Sequence, residues 1–346
     1  MSSPDITVRT IVRPRAEQNF SIARFPGEVP RLLAVVVGLG LLIAVFSGDS
    51  FALNILATTF LFAGLATSWN VIGGLGGQFS LGHSAFFATG AYVTAGLYLG
   101  FGLTPWLAVF PAALAAAALA MLVSWPVFRL KGPFFAIATM ALTEVMLSLA
   151  MYFESVTGGA QGISVPFRRG LENMIFADRM SYAILMLGFL AATLVIMAGI
   201  ARSRLGYELR AVRDNEDTAE ASGIHVLRTK LVGMGISAAM MAVGGGLYLM
   251  YVRVVDPPSL FSLFDVGVKV ALIALIGGMG TIYGPLLGAL LVVPLEGWLR
   301  AELGGTIPGA NLIVLGIVLV LTALYLRKGI VGTAGDLWRT YRRRLA

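Results

Sequence analysis

Apolar stretches of about 15 to 22 residues recur along nearly the whole chain, and this feature limits the fold more than any other. A helix needs about 20 mainly apolar residues to cross ~30 Å of hydrocarbon. Ten apolar segments can be read: 32–46, 51–72, 84–101, 106–127, 133–153, 182–201, 231–252, 266–277, 283–299 and 312–326. Only 12% of residues are charged and 58% are hydrophobic, with mean hydropathy +0.85. A soluble domain carries roughly 25% charged residues, so this chain lacks the charges to cover a surface in water. Long alternating strand patterns are absent, which argues against a closed barrel. Helices satisfy their own backbone hydrogen bonds in lipid. The expected fold is therefore an all-α polytopic membrane protein with about ten transmembrane or re-entrant helices.

The sequence holds 42 glycines and no cysteine. Disulfides and thiolate metal sites are thus excluded, and glycine at this level suits close helix approach in lipid. A net charge of +7 would suit nucleic acid, but the basic residues border the apolar segments, so topology explains them better. No cleavable signal is expected, because the first 31 residues are polar and basic. If all ten segments cross and the amino terminus is cytoplasmic, 19 of the 25 Lys and Arg residues fall on the cytoplasmic side. Five lie outside (Arg168, Arg169, Arg179, Arg253, Arg300), and Lys269 lies within a span. That split fits the positive-inside rule and puts both termini inside.

The expected organisation is a polar basic segment 1–31, a transmembrane domain 32–327 and a basic tail 328–346. Two connections have appreciable length, 154–180 outside and 202–230 inside. From Arg202 to Ile224 the inner one carries four Arg and five acids. Residues Leu209 to Ala221 suit a helix, with Gly223 as its C-terminal cap. So short a helix is marginal alone, which leaves a solvated linker or a helix held by a partner.

Four motifs narrow this choice. The loop sequence Leu205-Gly206-Tyr207-Glu208-Leu209-Arg210-Ala211-Val212-Arg213-Asp214-Asn215-Glu216, followed by Ala219 and Gly223-Ile224, resembles the cytoplasmic loop of the LivM/LivH permease family. The stretch Gly73-Gly74-Leu75-Gly76-Gly77-Gln78-Phe79-Ser80-Leu81-Gly82-His83 and onward to Tyr92 is similar to that family's first signature. Thr157–Ile163 resembles its external turn, and Ile276–Ala289 its late glycine segment. They occur in family order over residues 50 to 330, nearer the LivM branch.

The resemblance implies an ABC-importer permease of the bacterial inner membrane, carrying branched-chain amino acids or, within the same family, urea or short amides. Its implied partners are a homologous LivH-like permease, two cytoplasmic ATPases, an external binding protein and membrane lipid, with no nucleic acid. ATP and Mg would belong to the ATPases, and no cofactor to this chain. The loop would act as a coupling helix through Glu208, Arg210, Arg213, Asp214, Asn215, Glu216 and Gly223. None of the four lysines sits in a Gly-Lys-Ser/Thr context, so the chain is expected to have no nucleotide site or catalytic role of its own.

The segment Ile72-Gly73-Gly74-Leu75-Gly76 recurs as Ile276-Gly277-Gly278-Met279-Gly280. Transporters often arise from internal repeats with glycine-interrupted segments beside the substrate path. Gly73, Gly74, Gly76, Gln78, Ser80, His83, Glu144, Gly277, Gly278 and Gly280 are accordingly candidates for the path. Both turns face the cytoplasm in this topology, and hydropathy leaves open whether they are re-entrant. An ionised Glu144 in mid-span costs on the order of 2–3 kcal/mol, so it is expected to face a bundle interior or a wet cavity. Asp265 and Lys269 have the favourable i,i+4 order for a helical pair. A lone His83 at a turn also suits a structural hydrogen-bonding role, and Gly96/Gly100 and Gly284/Gly288 could admit close helix contacts.

Two other classes are less suited. An ion-driven carrier would need intramembrane carboxylates, and Glu144 is the one obvious candidate. A membrane enzyme would need a catalytic cluster, and two histidines without an HExxH pattern supply none.

Overall fold

A computed structural model describes residues 28–303 apart from Lys131, with short pieces at 313, 316–317 and 329–333. Most of the amino-terminal segment, the tenth apolar segment 312–326 and most of the basic tail lie outside the described residues.

The described residues are mainly helical, as the apolar segments require. The first helices are α1 (Val29–Val45), α2 (Ser50–Asn70), α3 (His83–Phe101), α4 (Pro105–Val127) and α5 (Pro133–Tyr152). A one-turn α6 (Glu154–Thr157) and a tiny antiparallel sheet follow, in which β1 (Ile163–Ser164) pairs with β2 (Val254–Val255). Between those strands run α7 (Arg179–Arg202), α8 (Arg204–Asp214), α9 (Glu216–Ala221) and α10 (Val226–Val252). The last elements are α11 (Pro257–Leu260), a π-helical turn (Leu263–Val268), α12 (Lys269–Gly277) and α13 (Gly284–Leu303).

Among the described residues, six stretches are long and apolar enough to cross a bilayer: Ser50–Leu75, α4, α5, α7, α10 and Pro257–Gly277. With α1, α3 and α13 packed beside them, the helices alternate between two ends of one bundle. One end gathers Glu28, the glycine turns after α2 and α12, and α8–α9, linked by hydrogen bonds and ion pairs. The other gathers Asn54, Tyr98, Asn173, Arg179 and Tyr251, also joined by hydrogen bonds.

Helices α2 and α10 form the centre. The second half of α2 is buried on every side among α7, α10, α12 and α13. Helices α3 and α10 approach at Gly90 and Gly245, where a methyl group on either would collide with the other's backbone carbonyl. Such contact through small residues drives packing where the hydrophobic effect cannot distinguish helix from lipid.

Candidate functional site

The first glycine segment does not end α2 cleanly. Residues Val71–Leu75 form a π-helical turn, and Gly77 turns the chain back with φ +67°. The chain then climbs as irregular backbone to His83, where α3 begins about two helical turns inside the bundle, level with Ser68. Backbone at that depth needs protein partners. The indole of Trp69 donates to Ser80 O at 2.6 Å, and Leu81 N donates to Thr139 Oγ1 at 3.0 Å.

His83 is fully buried. Its Nδ1 lies 3.0 Å from Ser80 Oγ and its Nε2 2.9 Å from Ser237 Oγ. Ser237 in turn donates to Ser68 O at 2.7 Å. This chain of bonds ties the start of α3 to α2 and α10.

The second glycine segment packs against the first through Asn70, a buried residue near the end of α2. Asn70 Oδ1 accepts from Gly280 N at 2.8 Å, and Asn70 Nδ2 donates to Thr281 O at 2.8 Å. Gly73, Gly74, Gly76, Gly277 and Gly278 are buried here, with Gln78 and Gly280 half-buried. Sequence reasoning missed Asn70, although a side-chain amide inside an apolar segment is a readable signal.

The charged loop lies directly beneath. Where one helix from 209 to 221 was expected, α8 and α9 meet at a break. Asn215 adopts extended backbone and caps α9, accepting from Thr218 N at 2.8 Å. Gly223 ends α9 with φ +86°, the capping role its position predicts. The inward face of α8 carries Gly206, Leu209 and Val212.

Arg213 Nη1 donates to Gly74 O at 3.1 Å, and its Nη2 lies 3.4 Å from Asp214 Oδ1. Glu216 receives Lys230 Nζ at 2.6 Å, with the lysine side chain 2% exposed and over the Phe128 ring. A buried ammonium requires such a partner. Arg210 Nη2 donates to Ala201 O at 2.7 Å. Glu208 accepts from Arg204 Nε at 2.7 Å and from Thr229 Oγ1 at 3.1 Å. The bond from the Arg204 side chain, helped by Thr229, holds the Glu208 carboxyl below its ordinary range against the opposing effect of burial. The Asp214 side chain is 73% exposed and points away from the bundle. A groove of about 510 Å³ opens beside Gln78, Arg213, Asn215, Glu216 and Pro133.

Three polar residues differ from expectation. Glu144 does not face the interior of this bundle. The inward face of α5 carries Phe135, Thr139, Thr143 and Ala150, and Glu144 lies on the exposed face with Ile137 and Val145. Asp265 and Lys269 do not pair. The turn over 263–268 is π-helical, so residues four apart no longer stack, and Asp265 instead accepts from Ser262 Oγ at 2.7 Å. Lys269 reaches across to Glu296 at 3.0 Å, which Arg300 also meets at 2.9 Å. Of the two glycine pairs, Gly284 and Gly288 press α13 against α12, whereas Gly96 and Gly100 face open space. Among the described residues, no three His, Asp or Glu side chains gather to hold a metal.

The family described as "Branched-chain amino acid transport system / permease component" matches residues 51–323. The high-affinity branched-chain amino acid transport system permease protein LivM of Escherichia coli K12 is 30% identical over 301 residues, 80% of this chain and 69% of that one. A probable LivM of Methanocaldococcus jannaschii is 28% identical over 229 residues, covering 64% of this chain and 63% of its own. The LivH permease of Salmonella typhimurium is 25% identical over 288 residues, or 78% and 91%. No solved structure gives a significant match. With the apolar bundle, the match over most of its length makes this chain a multi-pass membrane transport subunit that belongs to the branched-chain amino acid permease family.

Proposed function

We propose that the chain is the LivM-type permease half of an ATP-driven importer of branched-chain amino acids in a bacterial inner membrane. It works with a LivH-like second permease, two cytoplasmic ATPases and an external binding protein. The segments 1–31 and 328–346 and the loop 202–230 then lie on the cytoplasmic side of the domain 32–327. ATP and Mg are used by the ATPases, and this chain has no catalytic site.

The observation that carries this reading is the seat of α8–α9 beneath both glycine turns, with Arg213 bonded to Gly74 and Glu216 to Lys230. A partner pressing on this surface would move the inner ends of α2, α10 and α12 together. Glu208, Arg210, Arg213, Asp214, Asn215, Glu216 and Gly223 transmit that motion. The glycine turns with Gln78, Ser80 and His83 form the inner part of the path. Glu144, on the outward face of α5, meets the second permease or the water between the two.

Asp214 tests the docking surface cleanly, because its side-chain partner among the described residues is the neighbouring Arg213. Reversing a charge at an interface costs ~2–5 kcal/mol, so Asp214→Lys should release the ATPases during purification and abolish ATP-driven leucine uptake in proteoliposomes. Full retention of both in the variant, or uptake by this chain alone on an ion gradient, would overturn the reading.

A further inference from the structure

A second polar site lies away from the glycine turns, and the permease assignment does not use it. A cavity of about 700 Å³ sits between α2, α10, the Pro257–Gly277 span and α13, toward the end opposite α8–α9. Phe51 and Ser259, both exposed, stand at its outer margin.

The charges in this cavity are unevenly matched. Lys269 Nζ and Arg300 Nη2 both approach a single oxygen, Glu296 Oε1, at 3.0 and 2.9 Å. Glu296 is 7% exposed, so the carboxylate is almost wholly withdrawn from water. Two cations around one carboxylate leave a surplus positive charge, which a second carboxylate would balance. The Lys269 ammonium also lies over the Phe62 ring at 4.9 Å, which fixes its direction. The Arg300 side chain is 65% exposed, leaving its other N–H groups open for a bidentate partner.

Asp265 lines the same cavity and forms no ion pair among the described residues; its carboxylate accepts a hydrogen bond from the Ser262 hydroxyl. A negative group thus stands free within a cavity that has surplus positive charge elsewhere. Ile55, Phe62, Phe87 and Val293 supply apolar wall between them. Few compounds match all three features. A zwitterion with an aliphatic side chain does so, placing its carboxylate on Lys269 and Arg300, its ammonium on Asp265 and its side chain against the wall.

We propose that this cavity is a binding site for one zwitterionic aliphatic α-amino acid within the single permease chain. The identity of the ligand rests on the importer reading above, but its binding can be measured without transport.

The test uses the full transporter in lipid discs, without the external binding protein. Because this chain has no cysteine, Ser259→Cys places one reactive thiol at the cavity margin. Leucine should slow maleimide modification of this chain threefold or more. Leucine methyl ester, which lacks the carboxylate, and 4-methylpentanoate, which lacks the ammonium, should not. A thiol at Ser222→Cys, far from the cavity, should be modified at the same rate throughout.

Adding Lys269→Met should raise the leucine concentration for half-protection about tenfold or more, the loss expected for one charged contact, and Lys269→Arg should restore it. Equal protection by the methyl ester, or none by saturating leucine in the otherwise unaltered chain, would overturn the proposal. Absent protection with ATP-driven leucine uptake intact removes this site and leaves the importer reading. Protection without ATP-driven uptake keeps the site and removes that reading.

Discussion

Arg213 donates from Nη1 to the carbonyl oxygen of Gly74 at 3.1 Å, across 139 residues of sequence. The bond joins a charged surface helix to the π-helical turn that ends α2. A carbonyl freed from regular helical bonding needs another donor, and the guanidinium supplies it.

Arg213→Met should therefore leave insertion intact but loosen this link. A bond from a charged donor is worth about 1.5–3 kcal/mol. The expected outcome is ATPase subunits that still co-purify and hydrolyse ATP while leucine uptake per ATP falls severalfold. Unchanged stoichiometry would mean that the contact carries no motion.

The pair Lys230–Glu216 predicts an asymmetry. Lys230 is almost completely buried, whereas the Glu216 side chain is 27% exposed. Glu216→Gln strands a buried ammonium and should cost about 3–5 kcal/mol. Lys230→Met leaves a carboxylate that water can reach and should cost about 1 kcal/mol. Thermal unfolding midpoints of the two purified variants in one detergent check the order, and the reverse order would refute it.

Helix contacts through glycine should separate sharply by position. A methyl group at Gly288 would collide with the carbonyl oxygen of Ile273, so Gly288→Ala should destabilise the protein by about 1–3 kcal/mol. At Gly96 nothing lies within 4 Å, and Gly96→Ala should change stability by no more than about 0.5–1 kcal/mol, in the stabilising direction. The same unfolding measurement compares them.

Glu208 gives a pH dependence. Its folded-state pKa is lowered, chiefly by the Arg204 hydrogen bond, so its contribution is fully present at neutral pH. That contribution begins to fade below the unfolded value of about 4.3 and is lost as pH falls through the folded one. Glu208→Gln should therefore be less stable than wild type at pH 7, and the gap should close on acidification below pH ~4. A gap independent of pH would assign the effect to packing.

Apolar run length alone showed that this chain crosses a membrane as helices, and nearly where the long helices among the described residues lie. Segment length against bilayer thickness is a local property, readable from apolar runs alone. The sequence also located the charged loop, the Gly223 cap and the two glycine turns, because turn and cap chemistry is local too.

Which side chains meet follows from how the helices pack. In lipid both faces of a helix can be apolar, so no periodic stripe marks the inward one. For that reason Glu144 on the outer face of α5 was indistinguishable from a residue facing inward. The pairings of Lys269 with Glu296, Lys230 with Glu216 and Asn70 with Gly280 join separate helices, or a helix and a loop. Their geometry depends on how α2, α10, α12 and α13 pack, and on a π-helical turn that shifts Asp265 out of register with Lys269.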